Sequence, residues 1–206
     1  MKRVGLFFGT FNPIHVGHLI IANFMADLPE LDEVWLVVTP RNPHKKKDSL
    51  LRDHHRLQLA RVATEDNFDL DVSRIEFDLP QPCYTINTLK QLEEKHTEHR
   101  FTLIVGEDNL RTFHKWKNYE EILKGYELFI YPRAYTVQER DEGPDPKDKE
   151  REEAFKALSN VHLFDAPVMK ISASFIRKAI AEGRDVRYLL TPPVHQYVKE
   201  MHFYES

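Results

Sequence analysis

A short run of glycine, threonine, asparagine and histidine residues, GTFNPIHVGHL, follows an apolar segment near the start of the chain. Gly9 would let the backbone lie close to a ligand, and Thr10 supplies an N–H group and a hydroxyl beside it. His15 and His18 are three residues apart where a helix is predicted to begin, near the unpaired N–H groups of its first turn. Helix N-termini bind phosphate, and imidazole can neutralise charge on phosphoryl oxygens. The run therefore predicts a site for chemistry on phosphates.

Two other interpretations of the histidine pair remain open. H-x-x-H can be half of a zinc site, but zinc needs at least a third protein ligand and no H-E-x-x-H motif is present. The two histidines could also be structural, capping the start of a helix. The neighbouring Gly, Thr, Asn-Pro and Gly share no packing purpose, which favours the phosphate site. We assign no metal-ligating residues.

Strand-like and helix-like segments alternate along the chain and would position this run. Strands are predicted at 3–9, 33–39, 101–106 and 126–132 and more weakly at 68–73 and 160–164, and helices at 17–28, 51–66, 85–96, 119–125 and 172–183. Several strands are continuous apolar runs, typical of parallel strands covered on both faces. The pattern predicts an α/β fold with a doubly wound, mostly parallel sheet, in which ligands bind beyond the carboxyl ends of the strands.

Length and composition are those of an ordinary globular protein. The 206 residues predict a single domain spanning 1–206, and no apolar stretch approaches the roughly 20 residues that span a bilayer. Cys83 is the one cysteine, so no intramolecular disulfide forms and a cytoplasmic location is expected, with Cys83 as a small side chain in a turn. The net charge of -4 argues against nucleic-acid binding. The oligomeric state is left open, and a homodimer is one alternative.

The run 138–153 is rich in charge and contains two prolines. We interpret it as a solvated loop that leads into a helix.

Two segments carry a family resemblance. GTFNPIHVGHL closely resembles the G-T-F-D-P-x-H-x-G-H signature of the nucleotidyltransferases related to class I aminoacyl-tRNA synthetases, and ISASFIRKAI, residues 171–180, resembles their I-S-x-T/S-x-I-R segment. Ser172 or Ser174 can cap the second helix, with Arg177 projecting from its first turn, where it could fork onto phosphate oxygens. We expect the apolar residues of this helix to face the core: Ile171, Phe175, Ile176 and Ala179.

The resemblance implies a Rossmann-like nucleotidyltransferase fold and an ATP site. Residues of the two signatures that would bind ATP are Gly9, Thr10, Phe11, His15, His18, Ile171, Ser172, Ser174 and Arg177.

Three further segments look like those of nicotinate mononucleotide adenylyltransferases. PRNPHKKK resembles a P-x-x-x-P-H-K loop, in which His44 and Lys45 would form a basic cap near phosphates. CYTINTL resembles an S-Y-T-x-x-T-L segment, in which backbone N–H groups near Tyr84 and Thr85 would meet the pyridine carboxylate.

The third segment, GEDNLRTFHKW, resembles G-x-D-x-L-x-x-F-x-x-W. It implies that Gly106 and Asp108 lie near the adenosine ribose of ATP and that Trp116 stacks on the pyridine ring.

The chain departs from these patterns at four positions. Asn12 replaces the usual Asp, Phe8 a common Gly, Cys83 a Ser, and Ser174 a Thr. Asn12 keeps a turn-forming side chain and loses a charge, so we expect it to alter charge balance without abolishing the site.

The implied reaction is adenylyl transfer from ATP to nicotinate mononucleotide. The resemblance assigns His18 to the α-phosphate in the transition state, His15 to orienting phosphates, and Arg177 with Lys45 to the departing pyrophosphate. Mg²⁺ would be carried with ATP. A related enzyme with another acceptor, such as nicotinamide mononucleotide, and a catalytically silent nucleotide-binding module are the alternatives.

Overall fold

The computed structural model describes residues 1–40, 50–133 and 145–205, which contain one six-stranded parallel sheet. The strands are β1 (Lys2–Gly9), β2 (Glu33–Val38), β3 (Leu70–Ser73), β4 (His99–Gly106), β5 (Glu127–Tyr131) and β6 (Val161–Leu163). Their order in the sheet is β3-β2-β1-β4-β5-β6, and every pairing is parallel. The order reverses between β1 and β4, and ligands bind at the carboxyl ends of strands at such a switch point. The predicted doubly wound sheet is confirmed.

Helices connect the strands. They are α1 (Val16–Ala26), α2 (Asp53–Thr64), α3 (Thr85–Lys95), α4 (Glu107–Leu110), α5 (Tyr119–Gly125), α6 (Pro146–Lys156), α7 (Ala173–Ala181) and α8 (Pro192–Glu200), with short 3-10 turns at Ile75–Asp78 and Phe113–Lys115. The charge-rich run 138–153 was interpreted as a loop that leads into a helix, but α6 begins inside the run at Pro146, so the loop interpretation is wrong for 146–153. The carboxylate of Asp145 caps this helix by accepting from the N–H group of Lys147, and proline suits its first position. Residues 138–144 of the run lie outside the described part. Within the described residues, no helix is long and apolar enough to cross a membrane.

Two helices were not predicted from the sequence. The short α4 follows β4 directly, and α8 lies beyond the segment taken to be the last helix. Helix α8 begins with two prolines after Thr191, a position that proline favours because its missing N–H group would have no partner there. That start signal was present in the sequence.

The sheet separates two hydrophobic clusters, which explains the continuous apolar runs. In β1, Leu6 is buried in one cluster and Phe7 in the other, because successive side chains point to opposite faces. The cluster containing Phe7 packs residues of α1, α2, α7 and α8, and the one containing Leu6 packs residues of α3 and α5. Both faces of the sheet are therefore covered.

Two expectations about single side chains have opposite outcomes. Phe175 was expected in the core, but its side chain is 49% exposed and the Arg184 guanidinium lies 5.4 Å from its ring centroid. The buried stripe of α7 runs through Ile176 and Ala179, and the side chain of Phe175, one position before Ile176, points away from that stripe.

Cys83 is buried, and its thiol lies 3.3 Å from the Glu76 carbonyl oxygen. Burial raises the pKa of the Cys83 thiol, which fits a structural cysteine.

Candidate active site

The segment after β1 folds around the ring of Phe11. This residue adopts a left-handed backbone conformation with φ of 44°, which is uncommon for a bulky residue, and its ring is buried against Gly9. A Cβ atom on Gly9 would lie 2.7 Å from that ring. Packing within the loop therefore requires glycine here, and the expected approach of a ligand to Gly9 stays a prediction.

His15 and His18 lie side by side at the start of α1. His15 is the N-cap residue, His18 belongs to the first turn, and their rings stack with centroids 3.7 Å apart and an interplanar angle of 23°. The backbone N–H group of His15 donates to Nδ1 of His18 at 3.3 Å, which places the proton of a neutral His18 ring on Nε2. The rings of Phe7 and Phe11 contact His18 edge-on. The predicted pairing of the two imidazoles is confirmed.

Burial controls the charge of His15. Desolvation, with a smaller contribution from the nearby Arg133 guanidinium, lowers the pKa of His15 to about 4. Its Nδ1 atom is buried and has no hydrogen-bond partner in the described part of the protein. His15 is thus a neutral imidazole at pH 7 that holds one N–H donor and one acceptor.

Arg177 joins the two signature segments. Its Nη1 donates to the carbonyl oxygen of Asn12 at 2.7 Å, and its Nη2 to Oγ of Ser174 at 3.2 Å. Ser172 is the N-cap of α7, and its Oγ accepts from the N–H group of Phe175 at 3.2 Å. Of the two predicted caps, Ser172 and Ser174, the structure therefore has Ser172. The guanidinium therefore reaches the loop after β1, from the second turn of α7 and not from its first.

Asn12 lies at the centre of this loop. Its side-chain Oδ1 accepts from the backbone N–H group of Leu51 at 3.2 Å and from the hydroxyl of Tyr204 at 2.7 Å. Both neighbours are donors, and a carboxylate oxygen of Asp could accept from them equally well. This explains in physical terms why asparagine can stand where aspartate is usual in the signature.

Arg56 of α2 anchors the loop after β1 through hydrogen bonds. The sequence patterns did not identify this residue. Its side chain is fully buried, and all five N–H groups have acceptors. Four are backbone carbonyl oxygens at 2.7 to 3.1 Å, of Thr10, Thr39, Pro40 and Leu51, and the fifth is Oδ1 of Asp53 at 2.5 Å. A rigid guanidinium thus ties the chain after β1 to the chain after β2.

The segment after β4 faces the loop after β1 across the switch point. Gly106 ends β4, and a Cβ atom there would lie 2.7 Å from Oδ1 of Asp108 and 3.1 Å from the Tyr131 hydroxyl. Oδ2 of Asp108 is paired with Nη1 of Arg133 at 2.6 Å. Because Arg133 also lowers the pKa of His15, the three side chains belong to one electrostatic group.

A third group of predicted site residues packs against the hydrophobic cluster that contains Leu6. Tyr84 is the N-cap of α3 and Thr85 its first residue, and the Tyr84 side chain makes no capping hydrogen bond to that helix start. The Lys117 ammonium lies 4.5 Å from the centroid of the Tyr84 ring, which brings the chain around Trp116 to the start of α3. Trp116 is half-buried and packs on Phe113 with ring centroids 4.9 Å apart.

Most of the predicted site residues are brought to the carboxyl edge of the sheet by their elements. Ile171 lies near the start of α1, since a Cβ on Gly17 would be 3.7 Å from its Cβ. His44 and Lys45 fall outside the described residues.

Of the residues that sequence reasoning missed, Arg56 had one detectable signal. It lies on the same face of α2 as Leu59, Ala60 and Ala63, and a charged residue is unusual on a buried apolar face. Arg133, Lys117 and Tyr204 gave no comparable signal.

Known proteins resemble the chain over nearly its whole length. Residues 6–179 match the cytidylyltransferase-like family. Proteins named probable nicotinate-nucleotide adenylyltransferase from Flavobacterium johnsoniae and Christiangramia forsetii are 48% and 50% identical over 204 residues, which cover 99% of this chain and 100% and 99% of those relatives.

A solved structure shares the fold. The Plasmodium falciparum nicotinic acid mononucleotide adenylyltransferase complexed with NaAD superposes with a TM-score of 0.76 at 18% identity, covering 99% of this chain and 98% of that one. The predicted Rossmann-like nucleotidyltransferase fold is confirmed.

Proposed function

Because the chain belongs to the cytidylyltransferase-like family and, within it, to the nicotinate-nucleotide adenylyltransferases, we propose that it transfers the adenylyl group of ATP to nicotinate mononucleotide. The products are nicotinate adenine dinucleotide and pyrophosphate. The observation that carries the proposal is the junction of the two signature segments at the switch point of the sheet, where Arg177 contacts the loop beside the stacked His15 and His18.

The nucleophile comes from the substrate. A phosphate monoester has a second pKa near about 6, so the 5'-phosphate is largely a dianion at neutral pH. One of its oxygens attacks the α-phosphorus of ATP, the bond from that phosphorus to the bridging β-phosphate oxygen breaks, and pyrophosphate leaves with the electron pair. No protein base is required, and catalysis consists of positioning and charge stabilisation.

The residues of the loop after β1 would supply that stabilisation. The N-terminal turn of α1 carries the positive end of its dipole, and His18 adds a donor through Nε2. His15 is neutral without ligand, so it would orient phosphate oxygens through a hydrogen bond, and bound phosphate charge would raise its pKa. Arg177, together with Lys45, is proposed to stabilise the departing pyrophosphate.

Mg²⁺ is proposed to enter with ATP. Asp108, the carboxylate at the crevice, is already paired with Arg133, which suits a hydrogen bond to ribose better than a metal cage. Magnesium keeps several water ligands and is commonly held through substrate phosphates.

The start of α3 is proposed to bind the pyridine carboxylate. The N–H groups at Tyr84 and Thr85, which the Tyr84 side chain does not cap, and the nearby Lys117 ammonium would together favour an anion over a neutral amide. Trp116 would stack on the pyridine ring.

The test is pyrophosphate release from ATP and Mg²⁺ with nicotinate mononucleotide, nicotinamide mononucleotide and 4'-phosphopantetheine offered separately at equal concentration. We expect turnover with the first alone. Turnover only with another acceptor would overturn the roles of Tyr84, Thr85 and Trp116 while leaving the chemistry intact. ATP binding without turnover on any acceptor would make the protein a silent nucleotide-binding module. A His18→Ala variant controls for contaminating activity.

A further inference from the structure

A cluster of metal-ligating side chains lies at the amino edge of the sheet, away from the loops that follow the strands. Helix α3 ends at Lys95, and the sequence His-Thr-Glu-His then leads into β4. His96, Glu98 and His99 each place one ligand atom within 4.8 Å of the other two. No other group of three or more such residues has this spacing in ranges 1–40, 50–133 and 145–205.

The spacing of two of the three ligands already suits a metal ion. Ligand atoms about 2.0–2.1 Å from a tetrahedral zinc ion are about 3.3 Å from one another. Nδ1 of His99 and Oε1 of Glu98 are 3.1 Å apart. The ligand atom of His96 lies within 4.8 Å of both, so it has to approach by at most about 1.5 Å, a movement that a small change of its side-chain torsions provides.

One atom of the cluster has an unmet requirement. Nδ1 of His99 is buried and has no hydrogen-bond partner within the described residues, although it lies beside the Glu98 carboxylate. Buried polar atoms without a partner are rare in native proteins, and a bound ion can supply the missing partner. A metal placed between His99 and Glu98 would satisfy this nitrogen.

The surroundings hold the two imidazoles in place. The Trp35 indole contacts both rings, with centroids 5.0 Å from His96 and 5.6 Å from His99, and Phe101 stacks on His99. In the backbone, the N–H group of His99 donates to the His96 carbonyl at 3.0 Å, and that of Lys2 to the Glu98 carbonyl at 3.0 Å. An apolar wall and a fixed turn are what a preorganised metal site needs around its ligands.

We propose that His96, Glu98 and His99 bind a divalent transition-metal ion, zinc being the best match, with water as the fourth ligand. Two imidazoles and one carboxylate are a ligand set that zinc, cobalt and nickel accept and that magnesium and calcium do not prefer. The ion ties the end of α3 to the start of β4. Because this edge is opposite the phosphate loops, the ion would take no part in chemistry there, and the proposal does not depend on the proposed function.

The buried Trp35 offers a direct test. The chain has two tryptophans, so a Trp116→Phe variant leaves Trp35 as the one emitter beside the site. Co²⁺, which quenches fluorescence at short range, should quench it in a saturable way with one ion per chain, and Zn²⁺ should reverse the quenching by displacement. His96→Gln and His99→Gln in this background should each weaken the affinity at least about tenfold.

The stacked histidines of the candidate active site provide the matched control. A variant with His15→Gln and His18→Gln together, in the same background, should be quenched as before. Zn²⁺ should also raise the melting temperature of the wild type and leave that of His99→Gln unchanged. Quenching that persists in both His96→Gln and His99→Gln, quenching that is lost with His15 and His18, or no saturation below millimolar Co²⁺ would each overturn the proposal.

Discussion

The guanidinium of Arg177 donates a hydrogen bond of 2.7 Å to the carbonyl oxygen of Asn12, a residue 165 positions earlier in the chain. One signature segment therefore fixes the backbone of the other, and a phosphate bound at the loop after β1 would lie within reach of a cation from α7. Changes at Arg177 should affect both the shape of the loop and the charge available to the reaction.

We expect Arg177→Met to lower kcat by at least about tenfold, because developing charge on the departing pyrophosphate would lose the partner that we propose for it. Steady-state pyrophosphate release measures the effect. Lys178→Met is the control, since its exposed side chain lies next along the helix and pairs only loosely with Glu182 at 3.8 Å. Equal activity of the two variants would remove Arg177 from catalysis.

His18→Ala should lower kcat by about tenfold to a thousandfold with the fold intact, because the donor that we propose for the α-phosphate is lost. Circular dichroism checks the fold, and His54→Ala, a change on the exposed side of α2, controls for loss of a histidine. Turnover at the wild-type rate would show that His18 takes no part in the mechanism.

The neutral state of His15 makes stability depend on pH. Its folded pKa of about 4 lies below the unfolded value, so the unfolded chain binds the proton more readily between those two values. The contribution of His15 to the free energy of unfolding is therefore fully present above about pH 6.5. As the pH falls towards about 4, the free energy of unfolding decreases by about 3 kcal/mol in total.

His15→Gln should flatten this part of the curve of unfolding free energy against pH, measured by denaturant titration. His55→Gln serves as comparison, since the pKa of His55 is also lowered but its ring is less buried. An equal slope in wild type and His15→Gln would mean that His15 keeps an ordinary pKa.

Arg56→Met should destabilise the protein by about 3–5 kcal/mol, because four carbonyl groups and Asp53 lose a buried partner. Arg56→Lys should recover part of this, since an ammonium can satisfy at most three of the five acceptors. Urea unfolding gives the free energies.

Arg56 also has a positioning role that stability alone would not reveal. In Arg56→Lys at a temperature where it remains folded, we expect KM for ATP to rise because the loop after β1 loses its anchor at Thr10. An unchanged KM together with lower stability would leave Arg56 with a purely structural role.

Trp116→Ala should raise KM for nicotinate mononucleotide more than KM for ATP, because the indole would stack on the pyridine ring and not on adenine. Measuring both KM values in one preparation separates this from a general loss of packing on Phe113. Equal increases would count against stacking.

Local patterns in the sequence were enough to predict much of the fold and the pairing of the two histidines after β1. The six strands, the start of α7 at Ser172 and the pairing of His15 with His18 follow from periodicity, capping and spacing. Each is decided by neighbours a few residues away. Phe175 was misplaced for a related reason, since a residue at the boundary of a helical stripe turns inward or outward according to what packs against it.

The tertiary structure alone decided how the loop after β1 is held and how its histidines are charged. Arg56 bonds carbonyls up to 46 residues away, and Tyr204 reaches Asn12 across 192 residues, so these contacts depend on the path of the whole chain. The low pKa of His15 likewise comes from burial and from Arg133, which follows the end of β5. The sequence determined which groups could act on a phosphate, whereas long-range packing determined their position and protonation, because desolvation and buried hydrogen bonds arise only when distant segments meet.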